Sequence, residues 1–202
     1  MKSELFEYDK LIKQEGFNIL CGVDEAGRGP LAGPVTACAI IMDEKTIIPE
    51  INDSKKLSEK KRGELFDIIK ANAIDVSVAF VDEKTIDEIN ILSATMLAMK
   101  RAIEGLKIKP DLTLIDGNCN RGLENTRCVI KGDALSYNIA AASVIAKESR
   151  DRFMREIAEK YPEYGFEVHK GYGTKAHREA LIKYGPCEIH RKTFIKKILG
   201  EN

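Results

Sequence analysis

The chain has 202 residues, of which 44% are hydrophobic and 32% are charged, and its formal net charge is zero. This length and composition suit one globular domain with a full core, so a second large domain is not expected. The sequence contains no run of about 18 apolar residues that could span a bilayer, and its acidic first residues are unlike a signal peptide. We therefore expect a cytoplasmic protein with no membrane association.

Cysteine usage and the distribution of charge narrow the class further. Five cysteines stand at positions 21, 38, 119, 128 and 187, and none belongs to a Cys-x-x-Cys pair, which argues against a disulfide framework or a zinc site. Residues 1–120 hold 16 Lys and Arg against 21 Asp and Glu, whereas residues 121–202 hold 16 against 11. Such an asymmetry is typical of an acidic metal-binding centre beside a basic surface for a polyanion, although ordinary scatter of surface charge also produces it.

The first half of the chain alternates between helical and strand patterns. Residues 4–14 have the pattern of a short amphipathic helix, and the apolar runs at 18–24 and 35–42 predict two strands of an antiparallel hairpin. Ser58 is typical of a residue that begins a helix, which we expect to bury Leu65, Ile68 and Ile69 on one face. A third strand at 76–81 and a helix over 86–106 follow.

The second half continues the alternation and ends in helices. Residues 112–116 predict a short strand that ends in an acid, and residues 128–133 repeat that design. A long helix is expected over 134–160, followed by a loop and two short basic helices. The sequence therefore predicts one mixed α/β domain over 1–202, with a helical C-terminal extension over about 161–202.

Four acids stand where apolar runs end. Asp24 and Glu25 close the first strand, Asp116 closes a later one, and Asp133 follows another apolar run. Unpaired buried charge is costly, so two carboxylates at one strand end require a cation beside them. Oxygen ligands select hard cations such as Mg²⁺ or Mn²⁺, and acids that share two such ions are typical of in-line displacement at phosphorus. Read alone, Asp116 could instead form a turn, and Asp133 could cap the following helix.

A glycine-rich basic turn follows the first pair of acids. Gly27, Arg28 and Gly29 would let the backbone approach a sugar-phosphate closely, so that exposed amides and carbonyls could contact a 2′-hydroxyl. A plain tight turn would show the same residues. Tyr172 lies between two glycines in a basic segment, where it could stack on a sugar or base, or be a partly buried loop tyrosine.

Other polar residues are candidates for phosphate contacts or for structure. Lys55, Lys56 and Ser143 are candidates for positioning a phosphate, the two lysines because a helix N-terminus follows them. The run Arg191-Lys192 with Lys196-Lys197 has the pattern of a solvated helix face that adds a general basic field. The three histidines at positions 169, 177 and 190 are spaced by 8 and 13 residues, which suits neither a zinc pair on one helix nor a local dyad, so we expect structural roles.

The motifs together resemble a known family. The stretch from Gly22 to Val35 is similar to the signature of the type 2 ribonuclease H family, that of the bacterial ribonucleases HII. Six further motifs continue the resemblance through nearly the whole chain, at 53–57, 114–117, 131–133, 139–147, 171–174 with His177, and 190–194.

The resemblance implies a fold and an activity. The implied fold is α/β, a ribonuclease H-like mixed β-sheet flanked by helices, with a helical C-terminal extension that closes over the nucleic acid. The implied enzyme is a monomer that hydrolyses the RNA strand of RNA–DNA hybrids and cuts 5′ of ribonucleotides embedded in duplex DNA, leaving 3′-hydroxyl and 5′-phosphate ends. It would act in ribonucleotide removal from DNA and in RNA primer removal.

The resemblance also assigns roles to individual residues. The family's metal-binding acids, which hold divalent Mg or Mn, fall on Asp24, Glu25, Asp116 and Asp133. The turn over 27–29 would contact the ribonucleotide 2′-hydroxyl and the adjoining phosphate. Tyr172 would lie on the deoxyribose side of the junction.

Related classes remain open at this point. Type 3 enzymes carry an extra N-terminal domain and lack the Gly-Arg-Gly turn, whereas Arg28 is present here and some 17 residues precede the first predicted strand. Type 1 enzymes order their acids differently. A transposase- or resolvase-like nuclease would cut DNA without a ribose, and a binding module without activity would have no use for four carboxylates that repel phosphate.

Overall fold

A five-stranded mixed sheet forms the centre of the protein, in a computed structural model that describes residues 4–43, 45–51 and 58–200. Its strands are β1 Leu20–Ala26, β2 Val35–Met42, β3 Ala73–Val81, β4 Leu112–Asp116 and β5 Thr126–Val129. They lie in the order β3-β2-β1-β4-β5, with β1 paired antiparallel to β2, β2 antiparallel to β3, and β1–β4 and β4–β5 parallel. The predicted hairpin and mixed α/β class are confirmed.

Seven α-helices accompany the sheet in the described part of the chain. They are α1 Glu4–Gln14, α2 Glu59–Asn72, α3 Glu83–Glu104, α4 Tyr137–Lys160, α5 Phe166–His169, α6 Lys175–Tyr184 and α7 Lys192–Leu199. Single turns of 3-10 helix cover Gly132–Ala134 and Pro162–Tyr164. The predicted N-cap is confirmed, because the Ser58 side chain accepts a hydrogen bond from the Lys61 amide. Ile68 was wrongly predicted to be buried, since it is 43% exposed whereas Leu65 and Ile69 are fully buried.

Strand β2 is buried on both faces, which explains its uninterrupted apolar sequence. Cys38, Ile40 and Met42 pack in the cluster formed with α2 and α4, and the intervening Ala39 and Ile41 pack with α3 on the other face. The period of two along the strand therefore separates two cores, one on each face of the sheet.

The long helix α4 begins later than its sequence predicts. Residues 134–136 are not part of it, and Ser136 is its N-cap, with its side chain accepting from the Ile139 amide. The first turn of α4 lies directly on β1 because Gly22 has no side chain there. A Cβ at Gly22 would be 2.1 Å from the carbonyl carbon of Asn138, so only glycine permits this approach. The close packing fixes α4 two residues from the acidic end of β1.

The C-terminal helices pack back onto the turn between β1 and β2. Ala32 forms an isolated antiparallel bridge with His190, and the Leu31 amide donates to the Gly171 carbonyl at 2.8 Å. Ala32 also belongs to an apolar cluster with Phe166 and Ile189. The two short basic helices predicted from the sequence correspond to α6 and α7, and the segment brings Tyr172 to the end of β1.

Candidate active site

Three of the predicted acids lie at the ends of two neighbouring strands. Asp24 and Glu25 are near the end of β1, and Asp116 is the last residue of β4. These strands are adjacent and parallel, with Val23 paired to Ile115, so their chains deliver Asp24 and Asp116 side by side one residue later. Asp24 is only 6% exposed. The acids of two distant sequence motifs therefore meet at one edge of the sheet.

Asp133 reaches the same place by a different route from the one its sequence predicts. Strand β5 ends at Val129, and Asp133 lies in the 3-10 turn that follows, not at a strand end or at the N-cap of α4. Lys131 adopts a left-handed conformation with φ 58°, which turns the chain back toward the sheet. The Gly132 amide then donates to Asp116 Oδ1 at 2.6 Å, so buried Asp133 is next in sequence to a residue that contacts Asp116.

Mutual repulsion and burial raise the pKa values of the first two acids. Burial is the largest cause for Asp24, whose pKa lies well above its usual range, and the charges of Glu25 and Asp116 add to it. The pKa of Glu25 is also raised by burial and by Asp116, against the opposing charge of Arg28. Arg28 lies 3.4 Å from Glu25 and is half exposed. A cation among these carboxylates would relieve the repulsion that the fold imposes.

The donor set fits a hard divalent cation, because all four side chains offer carboxylate oxygens. Within the described residues, however, no group of three or more His, Cys, Asp or Glu side chains is placed to hold one ion together. The oxygens are directed to protein donors instead: Asp24 Oδ1 accepts from the Glu25 amide at 2.7 Å, and Glu25 Oε1 faces Arg28. Side-chain rotation would be needed to bring the oxygens onto one ion.

The two glycines of the basic turn differ in whether the fold itself requires a glycine at that position. Gly27 directly follows β1 with φ +95°, and a Cβ there would lie 2.2 Å from Arg150 Nε, so the fold itself requires glycine. A Cβ at Gly29 would meet one group within 4 Å, the Tyr172 ring at 3.8 Å, which is an ordinary contact. The surface over Gly29 is therefore open, and it lies beside Tyr172.

Tyr172 lies next to the turn, and histidines form hydrogen bonds with the backbone of Tyr172. Tyr172 is 42% exposed. His177 Nδ1 lies 2.9 Å from the Tyr172 carbonyl, and the Tyr172 amide donates to the His169 carbonyl. His177 Nε2 and His190 Nε2 are 3.0 Å apart, and His190 Nδ1 accepts from the Cys187 amide. The three histidines form one buried cluster that holds the loop of Tyr172.

The predicted phosphate contacts are placed unevenly. Ser143 is on α4 and only 6% exposed, and a hydrogen bond from its side chain lowers the pKa of Asp24. Its contact with a phosphate stays a prediction. Lys55 and Lys56 lie outside the described residues, so their roles also stay predictions.

Two arginines behind the turn are buried, which their sequence context did not predict. Arg191 was predicted on a solvated helix face, which is wrong, because it is fully buried and precedes α7. Arg150, inside α4, is also fully buried and donates to three carbonyls, those of Ala32, Pro34 and Lys170. Only the tertiary arrangement gathers these acceptors, so no local sequence signal reveals them.

Comparisons with known proteins agree with this arrangement. A family model described as Ribonuclease HII matches residues 21–197. The chain belongs to the ribonuclease HII family. The ribonuclease HII of Caldicellulosiruptor bescii is 60% identical over 197 residues, covering 96% of this chain and 95% of that protein, and the one of Endomicrobium trichonymphae is 56% identical over 196 residues, covering 96% and 93%.

Solved structures give the same result for the fold. The ribonuclease H2 of Pyrococcus horikoshii OT3 matches with a TM-score of 0.75 and 31% identity, covering 91% of this chain and 98% of that one. The ribonuclease HII of Archaeoglobus fulgidus, solved in a complex with PCNA, matches with a TM-score of 0.75 and 26% identity, covering 87% and 94%. The predicted ribonuclease H-like mixed sheet is confirmed.

Membership of the ribonuclease HII family settles the class of reaction. The chain is a ribonuclease H, a hydrolase that cleaves the RNA strand of RNA–DNA hybrids and takes part in ribonucleotide removal. Ribonucleases H use divalent metal ions, which agrees with the oxygen-only donor set described above. No helix within residues 4–43, 45–51 and 58–200 is long and apolar enough to cross a membrane.

Proposed function

We propose that four acids are the metal-binding residues of this ribonuclease HII, namely Asp24, Glu25, Asp116 and Asp133. Two bound divalent ions, Mg²⁺ or Mn²⁺, would supply an activated water and stabilise the leaving oxygen during cleavage on the 5′ side of a ribonucleotide. The observation that carries the proposal is the meeting of like-charged carboxylates from β1 and β4, with Asp24 buried among them and a raised pKa at Asp24 and Glu25. A group of like charges is unfavourable in the protein alone, and bound cations would offset the repulsion between the carboxylates.

The chain's own residues would arrange this centre. The Gly132 amide holds Asp116, the Ser143 side chain holds Asp24, and α4 covers both because Gly22 lets it lie on β1. These hydrogen bonds hold the two carboxylates themselves, and the close packing of α4 on β1 fixes the backbone that carries Asp24. The acids would therefore be held close together before substrate binds, so that only side-chain rotation is needed to bring their oxygens onto an ion.

The substrate would approach across the turn over 27–29 and Tyr172. The backbone at Gly29 is open to a sugar, and Tyr172 lies against it with an exposed ring. We assign the 2′-hydroxyl and its phosphate to the turn and the deoxyribose side of the junction to Tyr172. The segment from about residue 161 onward would act as a substrate-binding extension of a single catalytic domain. Lys55, Lys56 and Ser143 would position phosphates.

Cleavage of matched duplexes tests the activity and the metal site together. One duplex is all DNA and the other carries a single ribonucleotide at the same position. We expect cleavage of the second alone, with Mg²⁺ or Mn²⁺, giving a 3′-hydroxyl and a 5′-phosphate, and loss of at least about 10²-fold in kcat for Asp116→Asn. Equal cleavage of both duplexes would favour a DNA nuclease of the same fold. Unchanged metal-dependent cleavage by Asp116→Asn would exclude its proposed role.

A methyl group on the turn tests the reading of the ribose. Gly29→Ala meets only the Tyr172 ring at 3.8 Å, so the free protein should keep its stability while a closely bound sugar is pushed away. We expect a loss of about tenfold or more in kcat/KM for the single-ribonucleotide duplex. Gly63→Ala, a methyl group on α2 with its nearest contact at 3.9 Å, is the matched control and should leave cleavage unchanged. Wild-type cleavage by Gly29→Ala would reject the close approach.

Location and assembly remain predictions from the sequence. We expect a cytoplasmic monomer that acts on RNA–DNA hybrids and on DNA containing ribonucleotides. Sedimentation of the purified chain with and without a hybrid duplex measures the assembly directly, and a monomer binding one duplex is the expected result.

A further inference from the structure

Arg191 is fully buried directly behind the glycine-rich turn. Its guanidinium donates four hydrogen bonds, all to backbone carbonyls: Nη2 to Gly27 at 2.6 Å, Nη1 to Arg28 at 3.1 Å and to Pro30 at 2.9 Å, and Nε to Gly33 at 2.9 Å. No other residue type offers so many donors in one plane, and a lysine has three on a single atom. Arg191 therefore determines the path of the turn from one side.

These bonds fix which way two peptide groups face. The described residues contain no cis peptide bond, and in a trans peptide the carbonyl and the following amide point in opposite directions. Since the carbonyls of Gly27 and Arg28 point inward to Arg191, the amides of Arg28 and Gly29 point away from it. Neither amide donates to an acceptor anywhere in the described part of the chain. Two adjacent backbone donors are thus presented on the side of the turn opposite the buried guanidinium.

The charge of Arg191 also strengthens the two outward amides as hydrogen-bond donors. Burial and the neighbouring Arg150 lower the pKa of Arg191 to about 9, which leaves the guanidinium charged at neutral pH. A hydrogen bond from a cation to a carbonyl polarises the whole peptide group, so the amide at its other end becomes a stronger donor. The backbone around Arg191 is itself tied down, because its amide donates to the Leu31 carbonyl at 2.9 Å.

We propose that Arg191 is a positioning residue for ribonucleotide selection: it holds the amides of Arg28 and Gly29 outward as the donors that contact the 2′-oxygen of the substrate. The inference rests on the proposed function of the turn and adds the group that sets its geometry. Arg191 does not touch substrate. It acts through two peptide groups, so its loss should affect the ribose contact and leave general binding of duplex DNA in place.

Arg150 provides a matched control. It is equally buried and also packs against the turn, since a Cβ on Gly27 would lie 2.2 Å from Arg150 Nε. Its guanidinium donates only to the carbonyls of Ala32, Pro34 and Lys170, and so to neither of the two peptide groups that Arg191 orients. Arg150→Lys and Arg191→Lys are the same substitution with the same retained charge. A general loss of packing should affect both variants alike, whereas a loss of ribose selection should be confined to Arg191→Lys.

The test measures binding preference by fluorescence anisotropy, with Ca²⁺ in place of Mg²⁺ to suppress cleavage. Each variant is titrated with an all-DNA duplex and with the same duplex carrying one ribonucleotide, and the ratio of the two dissociation constants is compared. We expect Arg191→Lys to reduce the wild-type preference by about tenfold, the effect of about one hydrogen bond, with affinity for the all-DNA duplex unchanged. Arg150→Lys should keep the preference. Loss of folded protein alone scales both affinities equally and leaves the ratio unchanged.

The outcomes separate this inference from the function of the turn. If Arg191→Lys keeps the wild-type preference while Gly29→Ala loses it, the positioning role is rejected and the turn still contacts the ribose. If Gly29→Ala also keeps the preference, the proposed function of the turn fails. If Arg150→Lys loses the preference as fully as Arg191→Lys, the effect belongs to packing and the inference is overturned. Should Arg191→Lys not fold, Arg191→Gln, with a planar amide in the same space, undergoes the same comparison.

Discussion

The substitution Asp24→Asn should make the metal-free protein more stable while abolishing cleavage. The Asp24 carboxylate is buried beside Glu25 and Asp116, and its pKa is raised by burial first and by these neighbours second. A raised pKa means that the charge disfavours the native state at neutral pH. An asparagine keeps Oδ1 as the acceptor for the Glu25 amide, which lies at 2.7 Å, and removes the charge.

The size of the effect follows from the linkage between proton binding and folding. Each unit by which the native pKa exceeds the unfolded value corresponds to about 1.4 kcal/mol, so a stabilisation of at least about 1 kcal/mol is expected. For a chain of this length that raises Tm by roughly 2–4 °C. The advantage should be complete above the raised pKa and should disappear as the pH falls toward about 4, where the unfolded carboxyl is also protonated.

Thermal unfolding in EDTA at several pH values, followed by circular dichroism, measures this effect. Adding Mg²⁺ should raise the Tm of the wild type more than that of Asp24→Asn and so reverse their order. Asp111→Asn is the control: backbone amides of Asn18 and Ile19 hold the pKa of Asp111 below its usual range, so the same substitution should lower Tm. An Asp24→Asn variant that melts at or below the wild-type temperature in EDTA would refute the argument that repulsion dominates this site.

Three further predictions concern the scaffold. Burial lowers the pKa of His190 to about 4, so the free energy of unfolding should fall by up to about 3 kcal/mol as the pH drops from about 6.5 to 4, and urea titrations should show a flatter profile for His190→Gln. Gly22→Ala would press a Cβ to 2.1 Å from the Asn138 carbonyl carbon, and we expect a loss of about 3 kcal/mol or more in the same titrations. Glu148→Gln removes a buried carboxylate that Arg62 contacts at 3.3 Å, and we expect the free energy of unfolding to fall by about 3 kcal/mol. An unfolding free energy within about 1 kcal/mol of wild type would contradict this expectation.

The sequence predicted helices and strands well where their formation depends on interactions between residues close together in the chain. The N-cap at Ser58 is predictable because capping depends on one side chain and the next three amides, and the apolar runs at 18–24 and 35–42 located β1 and β2 to within a few residues. Asp133 was misplaced because the apolar run continues past the strand. The left-handed conformation of Lys131 ends β5 early, and a lysine in the sequence does not predict that conformation.

Contacts between distant segments could not be read in the same way. The three histidines are separated by 8 and 13 residues and come into contact because α5, α6 and the segment after α6 fold onto one another. Their spacing in the sequence does not predict this contact. Arg191 looked like a surface charge because its neighbour Lys192 is one. Its burial depends on carbonyls that gather only when the turn after β1 is in place, more than 150 residues earlier in the chain.

The position of Arg191 in the chain has a consequence for biosynthesis. It follows Asp133, the last of the four acids, by 58 residues. Because a ribosome releases a chain from its N-terminus onward, the strands and carboxylates emerge before the guanidinium that orients the turn. The carbonyls of Gly27 and Arg28 have no such donor until then. With the role proposed for Arg191, a nascent chain would carry all four acids before it could distinguish a ribose from a deoxyribose, and selectivity would be acquired after the acids are in place.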